Sequence, residues 1–90
     1  MAPRTTPDQA ATLALKGLAY LANSEGALNK FLDLSGAGRG TLRTRADEPE
    51  FLVSLLDFML ANEALLMGFC GEESIDVRAV HMARHVLAGG

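Results

Sequence analysis

Apolar residues recur at intervals of three and four along most of the 90-residue chain, and this spacing constrains the fold more than any other feature. Such spacing places apolar side chains on one face of a helix. No segment alternates apolar and polar residues with a period of two, which is the pattern of a half-buried strand. The sequence therefore predicts an all-α protein, a compact bundle of five to six short helices without a sheet.

Start and stop residues place two helices in the first half of the chain. Thr6 can cap the first helix, Pro7 suits its first position, and Asn23 or Ser24 is expected to end it. Gly17 lies on the apolar face of this helix, where glycine costs about 1 kcal/mol relative to alanine. We therefore expect another helix to approach closely there. The apolar face of the second helix consists of Ala27, Leu28, Phe31 and Leu32.

The second half is predicted to contain the most buried helix. Segment 51–61 is apolar around most of its circumference, with Asp47 as its cap and Pro49 in its first turn. Asn62 is expected to cap the following helix, which should end near Gly71. A short helix with Leu42 facing inward is expected before segment 51–61. The inward face of the last helix consists of Ala79, Val80, Ala83, Val86 and Leu87.

The two halves of the chain resemble each other when one is shifted by 38 residues. Leu18 then aligns with Leu56, Tyr20 with Phe58, Glu25 with Glu63, Leu28 with Leu66, Phe31 with Phe69 and Leu42 with Val80. Any two amphipathic helices share some leucines, but here the order of caps, aromatics and loops also matches. We therefore expect an internal two-fold pseudo-repeat within a single helical domain, 1–90. Its units would lie at about residues 7–46 and 47–88, with Phe31 and Phe69 between them.

Charge and apolar segment lengths argue against several classes of function. The net charge is −3, so no overall positive field would attract nucleic acid or an anionic membrane. The longest apolar segment, 51–61, is too short to cross a bilayer, and Lys16 interrupts the only stretch that resembles a signal peptide. A single cysteine cannot form an internal disulfide, which fits a reducing compartment. We expect a soluble cytoplasmic protein.

The residues that could act as metal ligands or as a nucleophile lack the neighbouring groups that such a site needs. His81 and His85 are four residues apart and could share a metal ion, but no further ligand cluster accompanies them. The two histidines are better explained as part of the solvent-exposed face of the last helix. Cys70 follows Phe69 and is interpreted as a buried thiol rather than a nucleophile. The sequence thus predicts no catalytic residue, no metal ligand and no cofactor.

Arginines near the middle of the chain form a short basic cluster that could bind phosphate or an acidic partner. The acids at 47, 48 and 50 follow it directly and can neutralise it. The adjoining "GAGRGT" at 36–41 lacks the Gly-Lys-Ser/Thr ending of a phosphate-binding loop. The candidate interaction surface predicted from the sequence comprises Arg39, Arg43, Arg45, Arg78, His81 and His85.

Three stretches, in this order, resemble one known family: "NKFLDLSG" at 29–36, "LRTRADEPEFLVSLLDFMLANEALLMGFC" at 42–70 and "VRAVHMARHVL" at 77–87. They look like the small alphaproteobacterial proteins grouped as domain of unknown function 3572. The resemblance covers nearly the whole chain. It implies a short, soluble, bacterial cytosolic protein and brings no assigned activity, cofactor or catalytic residue.

The leading functional hypothesis is a non-enzymatic interaction or regulatory module that binds another cytosolic protein, or itself, through a helix face. The high apolar content suggests that some of Leu66, Met67 or Met82 stay exposed as a contact patch. A metal or thiol enzyme would require His81, His85 and Cys70 to lie within a few ångströms of one another. The other alternative is a nucleic-acid-associated helical protein whose arginines converge on one face. Its candidate residues are Arg39, Arg43, Arg45, Arg78 and Arg84.

Overall fold

The computed structural model describes residues 5–24, 26–36, 40 and 48–89. Within this part the helices are α1 (Pro7–Asn23), α2 (Ala27–Ser35), α3 (Pro49–Ala61), α4 (Glu63–Glu73) and α5 (Val77–Leu87), and none of the described residues lies in a strand. The Cα radius of gyration is 12.3 Å, close to the value of about 12 Å for a compact domain of this length. The prediction of a compact all-α bundle is confirmed. The predicted short helix at Leu42 lies outside the described residues.

Helix α1 begins with the cap that the sequence predicted. The Gln9 backbone N–H donates to Thr6 Oγ1 over 3.1 Å, and the Thr6 N–H donates to Gln9 Oε1 over 3.0 Å. This reciprocal pair satisfies two N–H groups that have no partner within the helix. Pro7 occupies the first turn, where its missing N–H costs nothing.

The small residues of α1 allow close packing against the second half of the chain. Ala10, Ala14 and Gly17 are buried on the face that packs against α3 and α5. A Cβ added to Gly17 would lie 3.2 Å from Cε of Met59 on α3, which is tighter than ordinary van der Waals contact. The predicted close approach at Gly17 is therefore confirmed.

Helix α3 is the central buried helix, as predicted, although its start differs by one residue. Ser54, Asp57 and Ala61 form its exposed stripe. Its N-cap is Glu48 rather than the predicted Asp47, because the helix starts at Pro49. The Glu48 side chain makes no capping hydrogen bond. The buried residues of α3 are Phe51, Leu52, Leu55, Leu56, Phe58 and Met59.

Helix α4 begins at the predicted cap residue and ends close to the predicted position, but two details differ. Asn62 is the N-cap residue of α4, yet its side chain makes no capping bond there; instead its Nδ2 donates to the carbonyl of Phe58 over 2.8 Å and caps the end of α3. The helix also continues past Gly71 to Glu73, and the left-handed residue that ends it is Ser74, with a φ of 55°. Glycine is favoured at that position but is not required there.

The length and composition of the helices bear on membrane insertion. No single helix in the described ranges is long and apolar enough to cross a membrane. Helices α3 and α4 meet these criteria only when taken together, and the chain bends by 106° between them.

The C-terminal ends of the first four helices repeat with the predicted offset of 38 residues, although their starts do not. Helices α1 and α3 end at Asn23 and Ala61, while α2 and α4 end at Ser35 and Glu73. The residues after α2 and α4, Gly36 and Ser74, are both left-handed. Ser24 Oγ donates to the carbonyl of Tyr20 over 2.8 Å, which is the counterpart of the bond from Asn62 to Phe58. The repeat therefore extends to the capping bonds.

Aromatic pairs join the two halves in a reciprocal way. Tyr20 and Phe69 have ring centroids 5.7 Å apart and an interplanar angle of 57°. Phe31 and Phe58 have centroids 5.4 Å apart and an angle of 55°. A shift of 38 residues converts one pair into the other with the halves exchanged, which is the contact pattern of a two-fold axis. The predicted place of Phe31 and Phe69 between the halves is confirmed, while the unit boundaries at 46 and 47 fall outside the described residues and stay a prediction.

Candidate interaction groove

The surface predicted from charged residues is only partly described by the structure. Arg39, Arg43 and Arg45 lie outside the described residues. The remaining members, Arg78, His81 and His85, are exposed on α5. Whether all six residues form one surface therefore stays a prediction.

Both arginines of α5 lie next to carboxylates. Arg78 Nε is 3.8 Å from Asp76 Oδ1, in a pair that is largely exposed. Arg84 Nε donates to Asp57 Oδ1 over 2.8 Å, and this bond connects α5 to α3. The hydrogen bond and the charge of Asp57 raise the pKa of Arg84, so this arginine stays protonated. A further ligand for Arg84 would have to compete with Asp57.

Cys70 is buried, in agreement with its predicted structural role. Burial raises the pKa of its thiol, and the negative charge of Asp76 acts in the same direction. Because the thiolate is the nucleophilic form, both effects reduce reactivity at neutral pH. Among the described residues, no group of three or more His, Cys, Asp or Glu side chains could hold a metal ion.

Several large apolar side chains remain exposed among the described residues. Met67 is 55% exposed and Met82 is 48% exposed, as predicted. Leu66 is only 6% exposed, so the exposed members of the predicted patch are the two methionines. The place of Leu66 on α4 faces the core, where Phe69 and Cys70 are also buried. The most exposed of the large apolar side chains is Leu34 on α2, at 71%, and sequence reasoning had not singled it out.

Leu34 lies at a groove between α2 and α3, with a volume of about 450 Å³, that we call the aromatic groove. Three buried phenylalanine rings contribute to it. The Phe31 ring packs against the Phe51 ring at a centroid distance of 5.6 Å and a nearly perpendicular angle of 68°. The residues that line the aromatic groove are Phe31, Leu34, Phe51, Ser54, Asp57, Phe58, Ala61 and Asn62.

The polar side chains of the aromatic groove already have partners within the chain. Ser54 Oγ donates to the carbonyl of Glu50 over 3.1 Å, and Asn62 Nδ2 donates to that of Phe58. Asp57, which contributes the groove's negative charge, is paired with Arg84. The groove is therefore close to electrically neutral, and an apolar side chain could enter it without displacing a required hydrogen bond.

A second groove, between α1 and α4, occupies the equivalent place when the halves are exchanged by the offset of 38. We call it the polar groove; its volume is about 420 Å³, and it is lined by Lys16, Ala19, Tyr20, Asn23, Ser24, Glu72 and Glu73. Under the offset of 38, Tyr20 corresponds to Phe58, while Lys16 stands at the position of Ser54. Lys16 Nζ lies 3.9 Å from Glu73 Oε1, so a charge pair spans this groove.

The two grooves differ at several positions, and at one of them an apolar side chain corresponds to a carboxylate. Glu72 of the polar groove corresponds to Leu34 of the aromatic groove. An apolar side chain in the first half thus replaces a carboxylate in the second. This substitution is the sequence signal that could have identified the site, since the two segments otherwise align at their caps and aromatics.

Comparisons with known proteins identify a family without an activity. A family model described as "Protein of unknown function (DUF3572)" matches residues 7–90. This range includes all the helices that the structure describes. No curated protein and no solved structure matches the chain.

Proposed function

We propose that this chain, which belongs to the family "Protein of unknown function (DUF3572)", is a non-enzymatic interaction module that binds a protein helix in its aromatic groove. The observation that carries the proposal is Leu34, 71% exposed beside a cluster of phenylalanine rings. An amphipathic helix could place apolar residues three or four positions apart along such a groove.

The energetics of Leu34 support binding at this place. A leucine side chain contributes about 1.5–3 kcal/mol when it is fully transferred from water to an apolar environment. A partner that covers Leu34 and fills the groove would bury apolar surface on both molecules. Each buried surface would contribute part of this energy. Since Ser54 and Asn62 keep their hydrogen bonds to their own helix, burial would leave their donors satisfied.

The chemistry of the remaining residues supports a non-enzymatic, cytoplasmic role. The pKa of the buried Cys70 thiol is raised, whereas an activated thiol would have a lowered pKa. A lone buried cysteine also fits a reducing bacterial cytoplasm, where we place the protein.

The arginines of α5 do not favour nucleic-acid binding as a second function. Arg78 and Arg84 lie beside Asp76 and Asp57, and both acids would weaken contacts to phosphate. The interaction proposal therefore stands on the aromatic groove alone.

Affinity capture from the cytosol of the source organism tests the proposal with three tagged proteins: wild type, Leu34→Glu and Met67→Glu. The two variants add the same charge at exposed sites, but only Leu34 lines the aromatic groove. We expect proteins retained by wild type and by Met67→Glu to be lost with Leu34→Glu. A purified copy of any such protein should bind Leu34→Glu at least about tenfold more weakly. Equal retention by both variants would contradict binding at the groove.

A further inference from the structure

We propose that a cavity between α1 and α4 binds a small aromatic amine, with the aromatic ring against Phe69 and the ammonium group beside the carboxylates of the rim. This cavity shares no lining residue with the aromatic groove, so the proposal is independent of the proposed function. Its basis is the size of the cavity, a comparison with the other half of the chain, and the charge of the rim.

The cavity, which we call the Phe69 cavity, is large enough for one ring and a short chain. Its volume is about 270 Å³. A cavity of about 150 Å³ is already enough to hold a benzene molecule. The apolar part of its lining consists of Leu13, Phe69 and Ile75, and the charged part consists of Asp8, Lys16 and Glu73.

An aromatic ring occupies the equivalent place in the other half of the chain. The offset of 38 relates Leu13 to Phe51 and Phe69 to Phe31. The Phe51 ring packs against the Phe31 ring at a centroid distance of 5.6 Å, and Phe51 is only 2% exposed. Leu13 has no ring and is only partly buried, so the place beside Phe69 that corresponds to the Phe51 ring belongs to the cavity. A ligand ring there would complete the aromatic pair that this half lacks.

The charge of the rim selects a cation. Helix α4 ends at the cavity, and the carbonyl end of a helix favours positive charge. The last turn of α4 has no basic residue and carries Glu73. Lys16 Nζ lies 3.9 Å from Glu73 Oε1, and no described residue forms an ion pair with the Asp8 carboxylate. The rim therefore has two negative charges and one positive charge, and an ammonium group supplies the missing positive charge.

The ligand is small and its ion pair is exposed to solvent, so binding should be weak. We expect a dissociation constant on the order of 1 mM for a ligand of this size. A suitable probe is 2-phenylethylamine, which carries one ring and an ammonium group two carbons away.

Titration of the full chain with 2-phenylethylamine, followed by ¹H–¹⁵N NMR, measures the binding and its place. The amide resonances of Leu13, Phe69 and Ile75 should shift and saturate, while that of Leu34 in the aromatic groove should not. Butylamine lacks the ring, and 3-phenylpropionate has a carboxylate in place of the ammonium group. Each should bind at least about fivefold more weakly. No saturable shift at concentrations up to about 10 mM, shifts confined to the aromatic groove, or equal binding of either control compound overturns the proposal.

Leu13→Phe tests the comparison between the halves. The added ring should fill the cavity as Phe51 fills the equivalent place, so the probe should bind at least about tenfold more weakly. Leu15→Phe adds the same ring to α1 outside the cavity, at a side chain that is 43% exposed, and should leave binding unchanged. Circular dichroism should show equal helix content in both variants and wild type. A folded Leu13→Phe variant that binds the probe as well as wild type does overturns the proposal.

Asp8→Asn tests the charge of the rim without altering the apolar part of the cavity. It should bind the probe about threefold more weakly than wild type, since exposed ion pairs contribute little. Asp33→Asn removes an exposed carboxylate of α2 that lies outside the cavity, and it should bind as wild type does. Equal affinity of these two variants for 2-phenylethylamine would also overturn the proposal.

Discussion

Gly68 and Gly71 lie about one turn apart on α4, but a side chain would fit at only one of them. A Cβ on Gly68 would overlap Oη of Tyr20, whose ring is packed against Phe69. A Cβ on Gly71 would meet nothing within 4 Å. We expect Gly68→Ala to lower the free energy of unfolding by about 1–3 kcal/mol through overpacking. Gly71→Ala should raise it by about 0.5–1 kcal/mol because alanine favours a helix.

Urea unfolding of the two alanine variants and wild type measures this difference. Each glycine serves as the control for the other, since both substitutions add one methyl group to the same helix. Changes of equal sign at the two positions would contradict the close contact between Gly68 and Tyr20.

Burial of Cys70 couples stability to alkaline pH. Burial first, and Asp76 second, raise the pKa of Cys70 above its ordinary value of 9.0. The unfolded thiol therefore ionises before the folded one as the pH rises. The stabilisation from the neutral buried thiol is complete below the unfolded pKa and is lost as the pH rises through the folded pKa.

Wild type should consequently lose part of its stability advantage over Cys70→Ala as the pH rises above about 8. The measurement is the difference in the free energy of urea unfolding between the two proteins at each pH. The other groups that titrate in this range are present in both proteins, so their contributions cancel in the difference. A difference that is constant with pH would show that the Cys70 pKa is the same in the folded and unfolded chains.

At the scale of elements, equivalent side chains cap the C-terminal ends of α1 and α3. Ser24 and Asn62 each donate to a carbonyl four residues earlier over 2.8 Å, and both bonds are partly buried. We expect Ser24→Ala and Asn62→Ala to cost about 1 kcal/mol each in the free energy of unfolding. Asn23→Ala, which removes a longer and exposed bond of 3.1 Å to Ala19, should cost less than half as much. Thermal and urea unfolding of the three variants compare them, and an equal cost for Asn23→Ala would show that burial does not strengthen the two caps.

The sequence predicted the faces of the helices better than their ends. Apolar spacing identified the buried face of α1 and the exposed stripe of α3, because burial is what creates that spacing. Helix ends depend on single backbone conformations. Gly71 suggested the end of α4, yet the left-handed residue is Ser74, at the position equivalent to Gly36. The repeat was a better guide to this end than glycine preference.

The aromatic groove could not be predicted from helix periodicity alone. Periodicity places Leu32 on the inward face of α2 and Leu34 off it, in agreement with their burial, but it does not show that a groove lies beside Leu34. Of Leu66, Met67 and Met82, some of which we expected to stay exposed, the two methionines are exposed and Leu66 is buried. The signal that was available, Leu34 opposite Glu72, becomes visible only when the two halves are compared as equivalent surfaces.

At the scale of the whole molecule, the two halves bury each other's side chains. Phe69 packs against Tyr20, Phe31 packs against Phe51 and Phe58, and Met59 lies against Gly17. The Tyr20–Phe69 and Phe31–Phe58 pairs exchange roles between the halves, so each half supplies a ring to the other. The arrangement leaves two equivalent grooves, each between a helix of the first half and a helix of the second, and the charge difference between them restricts the proposed contact to the aromatic groove.

This mutual burial predicts that neither half folds alone. The complete chain is already near the size at which one core is marginal, and residues 47–90 alone would expose Phe58, Met59 and Phe69 to water. We expect residues 1–46 and residues 47–90, prepared separately, to give poorly dispersed ¹H–¹⁵N NMR spectra and no cooperative unfolding. When mixed at equal concentrations they should recover dispersed resonances, since every contact between the halves can also form between two chains. The intact chain in the same buffer is the control. A monomeric 47–90 fragment with a dispersed spectrum of its own would show that the second half has a sufficient core and that the reciprocal aromatic contacts are not needed for folding.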